Sequence, residues 1–151
     1  MPTKIQKLLA TFDSFYDLIA EIPGDCAEAL RHNWKRTRSF YENIPAGVRP
    51  SQLTSGLEEG LREMPSLFEA ADPEQRSRMS KAFSRAIADH YPDFFQKQRD
   101  RLEKILAKGK ISRESEYYAI RHHVDILEGD EDSSSLLRVL YQMIDVYEAT
   151  R

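Results

Sequence analysis

The chain has 151 residues, of which 40% are hydrophobic and 31% are charged, and its formal net charge at pH 7 is −3. This composition excludes a disordered chain, because such chains combine few hydrophobic residues with a high net charge. It also excludes a membrane-embedded chain, because no apolar run approaches the roughly 18 residues that a spanning helix needs. The small acidic charge disfavours bulk electrostatic attraction to nucleic acid or to an anionic membrane as the basis of function. The length corresponds to one ordinary domain over residues 1–151.

Cysteine usage and the N-terminal sequence predict a cytoplasmic protein. The one cysteine, Cys26, excludes an internal disulfide, which is typical of a reducing compartment. The first residues lead into an amphipathic segment with Asp13 and Asp17, so no export signal is visible. Cys26 lies where the dipole of a predicted helix can activate a thiol. Because Asp25 and Glu28 oppose thiolate formation, the favoured interpretation is that Cys26 is an unreactive, small buried side chain.

A regular apolar stripe predicts the first helix over residues 4–22. Thr3 and Gln6 match a capping box, in which two side chains satisfy unpaired backbone donors at a helix start. The Pro-Gly pair at residues 23–24 ends this helix, and Asp25 is expected to cap a second one, so that the two form a hairpin. The predicted buried side of the second helix consists of Cys26, Leu30, Trp34, Thr37, Tyr41 and Ile44.

Two more helices are predicted before residue 92, the first of them after a loop rich in Pro and Gly at residues 43–51. The predicted buried side of the third helix consists of Leu53, Leu57, Leu61 and Met64. Gly56 and Gly60 are expected to let another backbone approach closely, and Pro65 is expected to end or kink the helix. Asp72, followed by proline, begins the fourth helix. The shared face of that helix consists of Met79, Ala82, Phe83, Ala86, Ile87 and His90.

Residues 92–147 contain three more apolar stripes and are predicted to form three packed helices. Gly109 suits the left-handed position after the first of them, and residues 129–135 separate the second from the third. The third carries two adjacent apolar rows and is expected to be the most buried of the three. These rows are Leu136, Leu140, Met143 and Tyr147, and Leu137, Tyr141 and Ile144. Because no segment alternates with period two, the sequence predicts an all-α, single-domain bundle of six or seven helices.

Charge is distributed in two opposite blocks. Residues 76–113 contain eleven Lys and Arg against four acids, whereas residues 114–151 contain three against nine. The favoured interpretation is that the blocks neutralise each other across a helix interface. The alternative is a bipolar surface that steers a charged partner.

A basic cluster at residues 31–38 is the first candidate site. Arg31, Lys35 and Arg38 fall on one helical line, and such a line can contact phosphates while a neighbouring aromatic ring stacks on bases. Trp34, however, lies on the predicted buried side of the helix. The favoured interpretation is therefore a basic line that is solvated or paired with the acids of the same protein.

Residues 102–127 have the outline of a DNA-binding helix–turn–helix, but the outward positions of the second helix carry little basic charge. A structural helix pair is therefore favoured. His122 and His123 lie about 100° apart on a helix, so they cannot converge on one metal ion. His122 is expected to face outward near Tyr118 and Asp125, and His123 to lie at the edge of the core. No metal and no cofactor are predicted.

These patterns favour a non-enzymatic cytoplasmic helical domain that acts by binding another protein, as a small regulator or inhibitor. Its candidate interaction surface consists of Arg31, Lys35, Arg38, Tyr118 and His122. Seven Phe, seven Tyr and one Trp supply candidate interface anchors, and no membrane association is expected. One alternative is a nucleic-acid-binding regulator that uses the basic line. Another is an enzyme whose site forms only in the fold, at Tyr118, His122 and Asp125.

Overall fold

The computed structural model describes the whole chain, Met1–Arg151, and contains seven α-helices and no strand. The helices are α1 (Lys4–Leu18), α2 (Asp25–Glu42), α3 (Pro50–Leu67), α4 (Pro73–His90), α5 (Asp93–Lys108), α6 (Glu114–Leu127) and α7 (Ser134–Thr150). The prediction of an all-α fold with six or seven helices is confirmed. The chain divides into two compact units, Met1–Pro92 and Asp93–Arg151. That residues 1–151 fold as one domain stays a prediction.

The first unit is organised around α1, which packs against α3 and α4. Its core contains a cluster of aromatic rings in which the centroid of Phe15 lies 5.7 Å from that of Phe68 and 5.5 Å from that of Phe83. The predicted capping box is confirmed, since the Thr3 backbone N–H donates to Gln6 Oε1 at 2.8 Å and the Gln6 N–H donates to Thr3 Oγ1. The helix ends in a 3₁₀ turn, Ile19–Glu21.

Helix α2 differs from the prediction at its start and on its buried side. Gly24 occupies the N-cap position and Asp25 is the first helical residue, so the expected Asp25 cap is wrong. The helix fully buries only Ala27 and Trp34, and it ends at Glu42, so the exposed Ile44 lies beyond it. The physical reason is that α2 packs mainly on α1 and on the turn after it, which leaves the rest of its surface in contact with solvent.

Helix α3 buries its four predicted residues, Leu53, Leu57, Leu61 and Met64. It continues past Pro65 to Leu67, because a proline in the last turn removes only one backbone hydrogen bond near the helix end. A Cβ placed on Gly60 would lie 3.3 Å from Cζ of Phe12, and one placed on Gly56 would meet nothing within 4 Å. The expected close approach of a second backbone is therefore wrong, because an aromatic side chain occupies that position.

The second unit consists of α5, α6 and α7, as the three apolar stripes predict. Its buried core consists of Ile105, Ile111, Tyr117, Ile120, Val124, Leu137, Leu140 and Met143. Gly109 ends α5 with φ +76°, the left-handed conformation that the sequence predicts there. The following turn is held by Glu116, which accepts from Lys108 Nζ at 2.6 Å and from the Ser112 backbone N–H at 2.8 Å.

Burial raises the pKa of the Glu116 carboxyl, but the hydrogen bonds from Lys108 and Ser112 outweigh burial. The net pKa of Glu116 lies below its ordinary value, so the carboxylate stays ionised next to Lys108. The α5–α6 turn is therefore fixed by a charged contact as well as by the glycine.

Helix α7 is less buried than predicted. It buries Leu137, Leu140 and Met143, whereas Val139 and Val146 are exposed. Helix α6, by contrast, buries six residues. The expectation that α7 is the most buried of the three helices is wrong, because within its unit α7 packs mainly on α6 and is covered on one side only.

Candidate functional site

The three predicted cations line one groove between α1 and α2, which we call the α1–α2 groove and which has a volume of about 850 Å³. Arg31, Lys35 and Arg38 share it because residues four and three apart lie on one side of a helix. The groove is also lined by four carboxylates, Asp13, Asp17, Glu28 and Glu42. Its charge is therefore mixed and not continuously basic.

Asp13 connects the two helices of this groove. Trp34 donates from Nε1 to Asp13 Oδ1 at 2.9 Å, and Arg38 donates from Nε to both carboxylate oxygens at 3.3 Å. The Trp34 ring stacks on Phe12 at 4.9 Å and on Tyr16 at 5.4 Å between centroids. Trp34 is thus a buried anchor of α2, as predicted, and Arg38 pairs with an acid of the same protein.

The remaining cations of the basic line make no ion pair. Arg31 is half-buried and Lys35 is exposed. Burial raises the pKa of the neighbouring Tyr16 hydroxyl to about 12, so the side chain is neutral at physiological pH and adds no charge to the groove.

Replacing Arg31, Lys35 and Arg38 together with Glu is expected to lower stability by only about 1 kcal/mol, because exposed ion pairs contribute little. We expect no nucleic-acid binding before or after the change, since the carboxylates of the groove repel a phosphate backbone. The measurements are the unfolding midpoint and binding to duplex and single-stranded DNA and RNA at low salt. Arg36→Glu, on the same helix, controls for charge reversal alone.

Two results together would contradict this expectation. The unmodified protein would bind nucleic acid with micromolar affinity near physiological salt, and the triple variant would stay folded but lose that binding. The nucleic-acid alternative would then replace a protein-binding function. A steep loss of affinity with salt would identify phosphate contacts as the source of binding.

The second part of the predicted surface lies on α6 and differs from the prediction. His122, expected to face outward, is 3% exposed, and Asp125 is also buried. Tyr118 is half-buried and donates from its hydroxyl to Glu114 at 2.9 Å. The assignment of His122 to an exposed interaction surface is therefore wrong.

The reason is that α6 is buried on two sides. One side carries the predicted apolar stripe, with Tyr117, Ile120 and Val124, and the other carries His122 and Asp125. An apolar stripe identifies only the first side, because buried polar residues leave no hydrophobic signal in the sequence.

The two histidines of α6 have low pKa values. Burial, followed by the neighbouring His123, lowers the pKa of His122 to about 3. Burial, followed by the charge of Arg101, lowers the pKa of His123 to about 4. Both imidazoles are therefore neutral at pH 7. Their ring centroids lie 6.1 Å apart, and His123 is half-buried, as predicted for the edge of the core.

A second groove lies in the second unit, between α7 and the segment that joins α5 to α6. We call it the α7 groove, and its volume is about 540 Å³. Its α7 wall consists of Val139, Gln142, Met143, Val146, Tyr147 and Thr150. The opposite wall is formed by Leu106 and by residues 109–112.

The α7 groove combines apolar anchors with a single charge. Val139 is 46% exposed and Val146 is 57% exposed at its rim, and the half-buried Tyr147 extends the apolar wall. Lys110 is the one charged residue of the lining and makes no ion pair, whereas its neighbour Lys108 is paired with Glu116. The groove is therefore mainly neutral, with positive charge on one wall.

Sequence reasoning missed Val139 and Val146, although a signal was present. Helix α7 has apolar residues on nearly all sides. A helix of that kind is normally buried all round, so apolar residues outside its buried rows are candidates for contact with another molecule.

Three further findings concern the whole chain. No group of three or more His, Cys, Asp or Glu side chains is placed to hold a metal ion. None of the seven helices combines the length and the apolar character that crossing a bilayer requires. Comparison with protein-family models, curated proteins and solved structures finds no match to this chain.

Proposed function

We propose that this protein is a non-enzymatic helical domain that acts by binding another protein in the α7 groove, as a regulator or inhibitor. The observation that carries this proposal is the exposure of Val139 and Val146 at the rim of a groove with an apolar wall. Apolar side chains left in water beside a concave surface mark sites that another molecule covers. A cytoplasmic location, inferred from the single cysteine, is part of the proposal.

The composition of the groove supports a protein partner. Its lining places apolar side chains next to neutral hydrogen-bonding groups, those of Gln142, Ser112 and Thr150. Protein interfaces have this character, with an apolar centre, few charges and polar groups at the rim. Met143 forms part of the wall and can adapt its shape to an incoming side chain.

The two alternative functions have weaker support. The basic line of α2 lies among four carboxylates, which oppose a polyanion. Of the three residues considered for an enzyme site, His122 and Asp125 are buried, and His122 has a pKa far below the range useful for proton transfer at pH 7.

A photo-cross-linking residue at position 139 is expected to form a covalent adduct with one protein of the source cells, because a partner seated in the groove contacts this rim. The second change Val146→Glu should reduce the adduct yield at least tenfold, since a charge on the apolar rim must be desolvated. Asp145→Lys, on the same helix but outside the groove lining, should leave the yield unchanged.

Equal cross-linking from position 145, or an adduct insensitive to Val146→Glu, would contradict the proposal. Circular dichroism of each variant excludes unfolding as the cause of a loss. Identification of the adduct by mass spectrometry distinguishes a partner protein from a second copy of this chain.

A further inference from the structure

We infer that the occupant of the α7 groove is a single amphipathic α-helix, about three turns long, that carries an acidic residue at the end next to Lys110. This inference rests on the proposed function and specifies the chemistry of the partner. It follows from the spacing of the groove residues, the absence of a sheet edge and the position of one cation.

The spacing on α7 suits a second helix. Val139, Met143, Val146 and Thr150 follow one another at intervals of four, three and four residues. Alternation of three and four produces a nearly straight seam along a helix, into which the side chains of a neighbouring helix insert. Partners recognised in this way present apolar anchors at the same spacing.

The length of the groove and the all-α fold of this protein favour a short helix over an extended peptide as the occupant. At 1.5 Å per residue, the distance along α7 from Val139 to Thr150 is about 16 Å, which corresponds to about three turns. An extended peptide can bind by adding a strand to a sheet edge, but this chain contains no strand. A helix makes its backbone hydrogen bonds within itself, so it needs no sheet edge on this protein.

Lys110 fixes where the negative charge of the partner lies. Arg151 pairs with Glu114 at 2.9 Å, so the start of α6 and the turn before it lie near the C-terminal end of α7. The unpaired Lys110 therefore lies towards the Thr150 end of the groove. No acid of the groove lining neutralises it, whereas Lys108 is neutralised by Glu116.

A partner helix that carries an acid fits the groove better than the α7 of a second copy of this chain. The side of α7 that lines the groove carries no carboxylate, so the α7 of a second copy would bring no acid to Lys110. An acidic residue on a partner helix would supply the missing charge, and complementary charges of this kind set the orientation and specificity of a complex.

The test uses two synthetic helical peptides and the full-length protein. Both peptides carry Leu at intervals of four, three and four residues, and they differ only in having Glu or Lys at one end. Dissociation constants are measured by fluorescence anisotropy for the unmodified protein and for Lys110→Glu. Lys104→Glu, an exposed cation of α5 outside the lining, is the matched control.

The unmodified protein should bind the Glu peptide about fivefold more tightly than the Lys peptide, the effect of one exposed ion pair. Lys110→Glu should reverse this preference, and Lys104→Glu should leave it unchanged. Lys110 is exposed and makes no ion pair, so its substitution should not disturb folding.

Three outcomes would overturn the inference. One is that neither peptide binds, and another is a preference that Lys110→Glu does not change. The third is a dimer in analytical ultracentrifugation that Val146→Glu dissociates, which would identify the occupant as a second copy. If the peptides fail while cross-linking at position 139 still identifies a partner protein, the proposed function stands and only the helical, acidic partner is wrong.

Discussion

Phe15→Ala is expected to lower the free energy of unfolding by about 3–5 kcal/mol, the range measured when large aromatic side chains are removed from cores. The Phe15 side chain is fully buried in α1, and its ring contacts those of Tyr16, Phe68 and Phe83. Removing the ring discards its burial and leaves a cavity, because the surrounding rings are held by other elements and can close the gap only in part.

Denaturant unfolding of the purified variant measures this loss. Phe40→Ala is a matched control, since it removes the same side chain from a site on α2 that is 42% exposed, and its cost should stay below about 1 kcal/mol. Similar losses at the two positions would show that the aromatic cluster of α1, α4 and the turn Phe68–Ala70 is not the main core of the first unit.

The parts of this fold that could be predicted are those in which local spacing determines burial. The stripes of α1 and α3 identify their buried faces, because most of their length is covered by neighbouring helices. On α2 the same reasoning fails at Thr37, which lies at the predicted spacing but is exposed, and at Ile44, which lies beyond the end of the helix. Spacing shows which side of a helix is apolar and does not show how far along the helix a neighbour extends.

In the candidate sites, too, local spacing could be predicted from the sequence and contacts between distant residues could not. That Arg31, Lys35 and Arg38 share one groove follows from helical geometry alone. That Arg38 pairs with Asp13 in particular could not be predicted, because the predicted hairpin does not fix which residues of its two helices lie opposite each other. The α7 groove as a whole could not be predicted, although α7 carries an apolar signal, because most of the opposite wall is a turn, residues 109–112, which has no periodic pattern.

Acidification is expected to destabilise the protein through the buried histidine of α6. His122 is 3% exposed, and burial lowers its pKa from 6.5 to about 3 in the folded protein. The unfolded chain therefore takes up a proton as the pH falls below about 6.5, whereas the folded protein does not until about pH 3. The contribution of His122 to stability is complete above about pH 6.5 and is lost as the pH falls towards 3.

The size of this effect follows from the shift in pKa. Each pH unit in the window between the two pKa values costs about 1.4 kcal/mol, so the loss from His122 between pH 7 and pH 5 is about 2 kcal/mol. His123, whose pKa is lowered in the same direction by burial and by the charge of Arg101, acts with the same sign.

The measurement is the free energy of unfolding at pH 7 and at pH 5, by denaturant titration, for the unmodified protein and for His122→Gln. Glutamine does not titrate in this range, so the variant should lose much of the pH dependence, whatever its stability at pH 7. His32→Gln, which removes an exposed histidine of α2, should keep the full dependence. If His122→Gln and His32→Gln show the same difference between pH 7 and pH 5, protonation of His122 is not what makes the protein sensitive to acid.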